Sequence, residues 1–139
     1  MSDTDQGFTV VVGYDGSDAA RRGLERVRKL GPPTVRIVLV AVVSELRSAG
    51  LSSQLVDELE PRPLLEEARE LLTGAEALRI ETRAEVGDPA VVLVEIAREV
   101  DAELLVVGRR GGDFVARTLL GSVAERIVQQ APCDVLVVR

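Results

Sequence analysis

The chain has 139 residues, 46% of them hydrophobic and only 2% aromatic, and carries a formal net charge of −6. That length makes one domain able to bury a core without staples, its aliphatic bias suits a parallel sheet covered by helices, and the acidic balance argues against a nucleic-acid backbone as the main partner. The lack of histidine removes Ser-His-Asp and Cys-His triads and histidine-bound zinc, and the single cysteine, Cys133, removes an intramolecular disulfide and a cysteine metal cage. Cys133 follows Pro132 and precedes a strand pattern, so it reads as a packed small hydrophobe. The longest apolar run, Ile37 to Val43, is far too short for a bilayer, and Met-Ser-Asp-Thr-Asp-Gln has neither a basic nor an apolar signal segment. A cytoplasmic protein without a membrane partner is expected.

In chain order, residues 1 to 7 lack periodicity and read as a frayed terminus. Phe8 to Gly13 is the first strand, rich in β-branched residues, and it delivers Tyr14, Asp15, Gly16 and Ser17 to its carboxyl end. Ser17 or Asp18 caps the next helix, with Ala20, Leu24, Val27 and Leu30 inward and Gly31-Pro32-Pro33 as its stop. Val35 to Val43 is the second strand. Periodicity fades from Ser44 to Pro63, a long connection or a lid. Pro63 then suits the first position of a helix with Leu64, Leu65, Ala68, Leu71, Leu72 and Ala75 on one face and Glu66, Glu67, Arg69 and Glu70 mostly outward.

Arg79 to Val86 alternates Ile80, Thr82, Ala84 and Val86 with charged residues, the pattern of a strand near a sheet edge with one wet face. Asp88 and Pro89 open a third helix, whose Ala90, Leu93, Val94, Ala97 and Val100 face inward. Leu104 to Val107 is the fourth strand. A helix from about Leu120 places Val123, Ala124, Ile127, Val128 and Ala131 inward and ends at Pro132, and Val135 to Val138 is the fifth strand. Such strict alternation predicts a single α/β domain with a doubly wound parallel sheet in the order 3-2-1-4-5 and helices on both faces. The winding then reverses between the first and fourth strands, so Asp15 and Gly108 meet at one crevice.

The stretch between the fourth strand and the last helix carries the chemistry. Gly108, two residues, Gly111, nine residues, Gly121 and Ser122 lie between a buried strand and a helix N-terminus. Glycines permit a close backbone approach, and the unpaired N–H groups of a helix start favour an anion, so the stretch reads as a phosphate cradle. The alternative is a loop whose glycines only permit the turn. Arg109, Arg110 and Arg117 supply local positive charge, of which one is expected to meet a phosphate. For Asp15 the choice lies between a ribose contact and a turn residue in Tyr-Asp-Gly-Ser.

The spacing resembles the G-x2-G-x9-G-[ST] signature of the universal stress protein family. The resemblance extends to Val-Val-Val-Gly-Tyr-Asp-Gly-Ser, Val-Gly-Asp-Pro, Asp-Ala-Glu-Leu-Leu-Val-Val-Gly and Ala-Pro-Cys-Asp-Val-Leu-Val-Val, nearly the whole chain. It implies an adenine nucleotide alpha hydrolase-like fold and an ATP-binding stress-response regulator, with Mg2+ bound through the phosphates. It further implies that Asp15 contacts the ribose region and that Val42 borders the adenine. Gly108, Gly111, Gly121 and Ser122 would hold phosphate, with Gly13, Tyr14, Val107, Arg109, Arg110 and Val123 completing the site. A homodimer through Val135 to Val138 is implied as well, in keeping with the apolar edge that this strand would otherwise expose.

Three functional readings follow: a nucleotide-gated signalling module, a nucleotide-dependent enzyme, and a homodimeric scaffold without nucleotide. The only lysine, Lys29, lies in the first helix and not after a glycine loop, and Asp113 alone in the motif resembles a general base. The first reading is therefore preferred, with at most slow ATP hydrolysis.

Overall fold

Apolar β-branched runs alternating with amphipathic segments produce nine elements among the described residues. The computed structural model describes residues 8–30, 35–43, 61–74, 78–109 and 121–139. In chain order these are β1 (Phe8–Gly13), α1 (Asp18–Arg28), β2 (Val35–Val43), α2 (Pro61–Leu71), β3 (Leu78–Val86), α3 (Pro89–Glu99), β4 (Leu104–Gly108), α4 (Ser122–Gln130) and β5 (Asp134–Val138). The strands form one sheet in the order β3-β2-β1-β4-β5. Every pairing is parallel, with Val10, Val11 and Val12 opposite Ile37, Val38 and Leu39 on one side and Leu104, Leu105 and Val106 on the other.

Successive side chains on a strand leave opposite faces, so each central strand feeds two cores. Val10, Val12, Ile37, Leu39 and Val106 pack with Leu24 and Val27 of α1 and Leu65 and Ala68 of α2. Val11, Val38, Val40, Leu105 and Val107 pack with Leu93 and Ala97 of α3 and Ala124 and Ile127 of α4. Burial of each such aliphatic side chain contributes about 1.5–3 kcal/mol. Tyr14 is the one aromatic side chain among the buried residues described. Among the described residues no helix is long and apolar enough to cross a membrane.

Two helix starts are fastened by side chains. Ser17 Oγ accepts from the N–H of Ala20 at 3.2 Å, which settles the cap of α1 on Ser17. Asp88 Oδ1 accepts from Ala90 at 3.0 Å and Val91 at 3.4 Å, with Pro89 in the first turn of α3. Asp88 also pairs with Arg126 of α4, whose Nη1 lies 3.0 Å and 2.8 Å from its two oxygens. The Arg126 guanidinium, more than the cap bonds, holds the Asp88 carboxyl below its ordinary value.

Several expectations require correction. Helix α2 begins at Pro61, two residues before Pro63. Both prolines fit a first turn, where their missing N–H groups have no intrahelical acceptor. Residues 44–60 lie outside the described residues, as do residues 1–7 and Ala75. Leu30 and Leu71 are exposed instead of inward. Helix α1 ends at Arg28, which leaves Leu30 in the following turn, and α2 ends at Leu71, after which the buried Leu72 takes the inward position. Val128 is exposed because the stripe of α4 is narrow, with only Ala124 and Ile127 fully inside. Helix α4 starts at Ser122, with Gly121 as its N-cap.

Strand β3 is an edge strand, as its alternation predicts, yet its apolar face is mostly wet. Ile80 packs against the core, while Thr82, Ala84 and Val86 are exposed. Its charges are organised on the α3 side, where Arg36 donates to both oxygens of Glu81 and Arg83 pairs with Glu99 at 2.6 Å.

Replacing Asp88 separates cap from ion pair. Asp88→Ala is expected to lower stability by about 1–2 kcal/mol, and Asp88→Asn, which keeps a capping oxygen, by less than about 1 kcal/mol because the pair with Arg126 is half exposed. Urea midpoints at constant slope provide the check, and equal losses would show that the cap contributes nothing.

Candidate functional site

The carboxyl ends of β1 and β4 lie side by side, since Val12 pairs with Val106, and the chain leaves both strands there. Tyr14 continues the ladder by donating its N–H to Val40 C=O at 2.9 Å. Beyond it Asp15 Oδ1 accepts from Ser17 N–H at 2.9 Å, the geometry of an Asx turn, and the residue stays exposed. Gly16 adopts φ +81°, a left-handed conformation that costs an L-residue roughly 1–2 kcal/mol. Asp15 is therefore a turn residue that is also presented at the crevice.

On the neighbouring strand, Gly108 lies against the first turn of α1. A Cβ at that position would stand 3.0 Å from Ala19 Cβ and 3.4 Å from Ala20 N. The lack of a side chain at 108 thus sets how closely β4 and α1 approach, in addition to whatever it does for a ligand. Arg109 donates its N–H to Val138 C=O, extending the β4–β5 ladder, and its own C=O accepts from Gly121 N–H at 2.8 Å. That last bond makes a neck that sets the start of α4 against the end of β4. Arg110, Gly111, Asp113 and Arg117 lie outside the described residues.

The geometry brings together Gly13, Asp15, Val107, Gly108, Arg109, Gly121 and Ser122 at the switch point of the sheet, with Val42 half-buried at the end of β2 and Val123 half-buried in the first turn of α4. The N–H groups that open α4 receive no side-chain acceptor from their own N-cap residue. Gly121 has no side chain to offer them, whereas Ser17 and Asp88 occupy the corresponding positions of α1 and α3. Among the described residues no three His, Cys, Asp or Glu side chains converge as a metal cage. An open groove lined by Arg62, Leu65, Glu66, Arg69, Thr82 and Ala84 lies between α2 and β3, at the edge of the sheet away from this crevice.

Tyr14 departs from its expected place. Its side chain is only 2% exposed and packs in the core shared with α1 and α2, so only its backbone faces the strand end. The hydroxyl donates to Glu67 Oε1 at 2.6 Å, and Arg21 Nε donates to the same oxygen at 2.8 Å. Burial first, then the Glu67 carboxylate, push the Tyr14 hydroxyl up to about 12. The hydrogen bonds from Tyr14 and Arg21 hold the Glu67 carboxyl below its ordinary value. Glu67 reads as an outward helix residue in the sequence, and the signal that pointed elsewhere was the lone tyrosine at the end of an apolar strand, since a buried phenol needs a partner. Cys133 is half-buried, and burial followed by the Asp134 charge pushes its thiol up, in keeping with a packed residue.

A doubly wound parallel sheet with a crevice at its switch point is the architecture at which α/β proteins generally place their ligands. The sequence profile of the universal stress protein family matches residues 8–139. Universal stress protein Rv1636 of Mycobacterium tuberculosis is 35% identical over 138 residues, covering 94% of each chain. A universal stress protein solved in complex with cAMP superposes with a TM-score of 0.71 at 34% identity, over 95% of this chain and 96% of the other. The universal stress protein of Archaeoglobus fulgidus in complex with dAMP superposes with a TM-score of 0.69 at 26% identity, over 95% and 98% of the two chains. The chain belongs to the universal stress protein family.

Tyr14 is the sole tyrosine and tryptophan is absent, so one absorbance titration reads its hydroxyl directly. A midpoint near 12 is expected, falling in Glu67→Gln but staying above the ordinary tyrosine value because burial remains. A raised folded-state value means that the Tyr14 contribution to stability is full below about pH 10 and is lost as pH rises toward the folded midpoint. A midpoint at the ordinary value in the native protein would contradict the buried bond.

Proposed function

We propose that this protein is an adenine-nucleotide-binding regulator of the stress response, with ATP as its ligand and nucleotide-dependent order in the crevice as its signal. The observation that carries the reading is the start of α4, whose N-cap Gly121 brings no side-chain acceptor and is tied to the end of β4 by the Gly121–Arg109 bond. Its N–H groups are positioned to donate to phosphate oxygens, and the Ser122 hydroxyl adds a donor of its own. Arg109 is the cation of the neck, Asp15 the acceptor for ribose hydroxyls, and Val42 the apolar wall for the base. Gly13, Tyr14, Val107 and Val123 contribute backbone and packing, and Arg110 and Gly111 belong to the same motif. Mg2+ would be carried by the phosphates, which suits a cation that keeps its waters and needs few protein ligands.

Two of the similar structures hold adenine nucleotides, cAMP and dAMP, which supports the ligand class. The complete glycine spacing from Gly108 to Ser122 supports a polyphosphate. The proposed assembly is a homodimer through β5, an edge strand whose Val135, Leu136 and Val137 are only half covered within one chain. That apolar edge is also the observation that favours the competing reading, a homodimeric scaffold without nucleotide.

Calorimetric titration of nucleotide-stripped protein with ATP and Mg2+ separates the two. Saturable binding is expected, weakened at least about tenfold in a Gly121→Val, Ser122→Ala double variant, a loss of about 1.4 kcal/mol or more. Heat-silent wild-type protein would leave the scaffold as the better account. Sedimentation equilibrium should return twice the chain mass of 14.9 kDa, and a single-chain mass would remove the dimer.

A further inference from the structure

Helix α2 holds the turn after β1 at three places. Leu64 lies over Gly16, where a Cβ would stand 2.8 Å from Leu64 Cδ2. Glu67 Oε1 receives Tyr14 Oη at 2.6 Å, just before the turn. The same oxygen receives Arg21 Nε at 2.8 Å, just after it, and Arg21 in turn donates its N–H to Ser17 C=O at 3.0 Å and its Nη1 to Asp18 at 3.1 Å. Asp15 lies between these two anchors, with its own bond to Ser17 N–H.

The two bonds to Glu67 differ in weight. The Arg21–Glu67 pair is about half exposed, and such pairs contribute little by themselves. Tyr14 is buried, so loss of the carboxylate would leave its hydroxyl beside the Arg21 guanidinium, which cannot accept its proton, and a buried donor without an acceptor costs more than the bond contributes. One carboxylate oxygen thus decides whether the residues on both sides of Asp15 stay where they are.

We propose that Glu67 is a positioning residue: by binding Tyr14 and Arg21 together it fixes the Asp15 turn against α2 and thereby sets the affinity of the crevice for an adenine nucleotide. The affinity half of this inference rests on the nucleotide reading of the crevice, whereas the ordering half does not. Helix α2 is then part of the site through its hold on the Asp15 turn.

Two variants test it. Glu67→Leu removes the acceptor at similar bulk, and Glu67→Gln keeps a neutral acceptor. The first readout, without nucleotide, is amide hydrogen exchange at Ser17 and Ala20, with Val38 and Leu105 as core references. Exchange about tenfold faster at Ser17 and Ala20 in Glu67→Leu, largely restored in Glu67→Gln, with unchanged core amides, is expected. Unchanged exchange at the turn would overturn the proposal. Should Glu67→Leu lose protection throughout, the same comparison is made with Tyr14→Phe, which removes the donor of that bond and leaves no unpaired hydroxyl, and faster exchange confined to the turn supports the role whereas none overturns it.

The second readout is titration with AMP. Glu67→Leu is expected to weaken binding about tenfold, with recovery in Glu67→Gln and no further loss when it is added to Asp15→Ala, the signature of two residues acting through one turn. Faster turn exchange with unchanged affinity would overturn the link to ligand binding. If wild type itself fails to bind AMP, the nucleotide reading and the affinity half fall together, and the exchange result still decides whether Glu67 orders the turn.

Discussion

The parallel pairing of β1 with β4, from Val10↔Leu104 to Val12↔Val106, is the contact on which the crevice depends. On one side of it the sheet continues through β2 to β3, on the other through β5, and the connections run over opposite faces. Right-handed crossovers then force the chain leaving β1 toward α1 and the chain leaving β4 toward α4, which lies on the other face. The two exits diverge and a gap opens between them. The apolar runs that form these strands thus also place Asp15 and Gly121 at one opening, though more than a hundred residues separate them.

Electrostatics at this opening is local. The chain as a whole is acidic, yet among the described residues α1 to α4 all start on the carboxyl edge of the sheet, so the positive ends of their dipoles gather there. The helices use that edge differently. Ser17 closes the start of α1, and Asp88, itself held by Arg126, closes that of α3. The start of α4 receives only Gly121, whose own N–H is committed to Arg109. The cap residues of α1 and α3 thereby use their side chains for stability, whereas the cap residue of α4 has none to use.

Much of this was legible in the residues. The bounds of β1 and β2 could be read directly because β-branched runs flanked by glycine or proline leave little choice, and strict alternation of strands and helices fixed the order of the sheet. Pattern failed at element ends. Leu30, Leu71 and Val128 have the right spacing for a buried stripe, but a helix that stops one turn early, or presents a narrow face, leaves them in water. The early start of α2 at Pro61 was hidden by reading a proline as a breaker where it serves as a first-turn residue. The Tyr14–Glu67 bond joins residues 53 apart in sequence, and no local pattern encodes it. It arises only once α2 is laid across the end of β1. Face periodicity had assigned Glu67 to solvent for the same reason.

The account stands on the start of α4 as the place where phosphate is held. Backbone amide NMR of the full chain during parallel titrations with AMP and with adenosine tests this most directly. AMP should move the amide signals of Ser122 and Val123 strongly, whereas adenosine, which lacks the phosphate, should leave them nearly in place while still perturbing residues at the ends of β1 and β2. Equal shifts with both ligands, or none at Ser122 and Val123 with AMP, would contradict it.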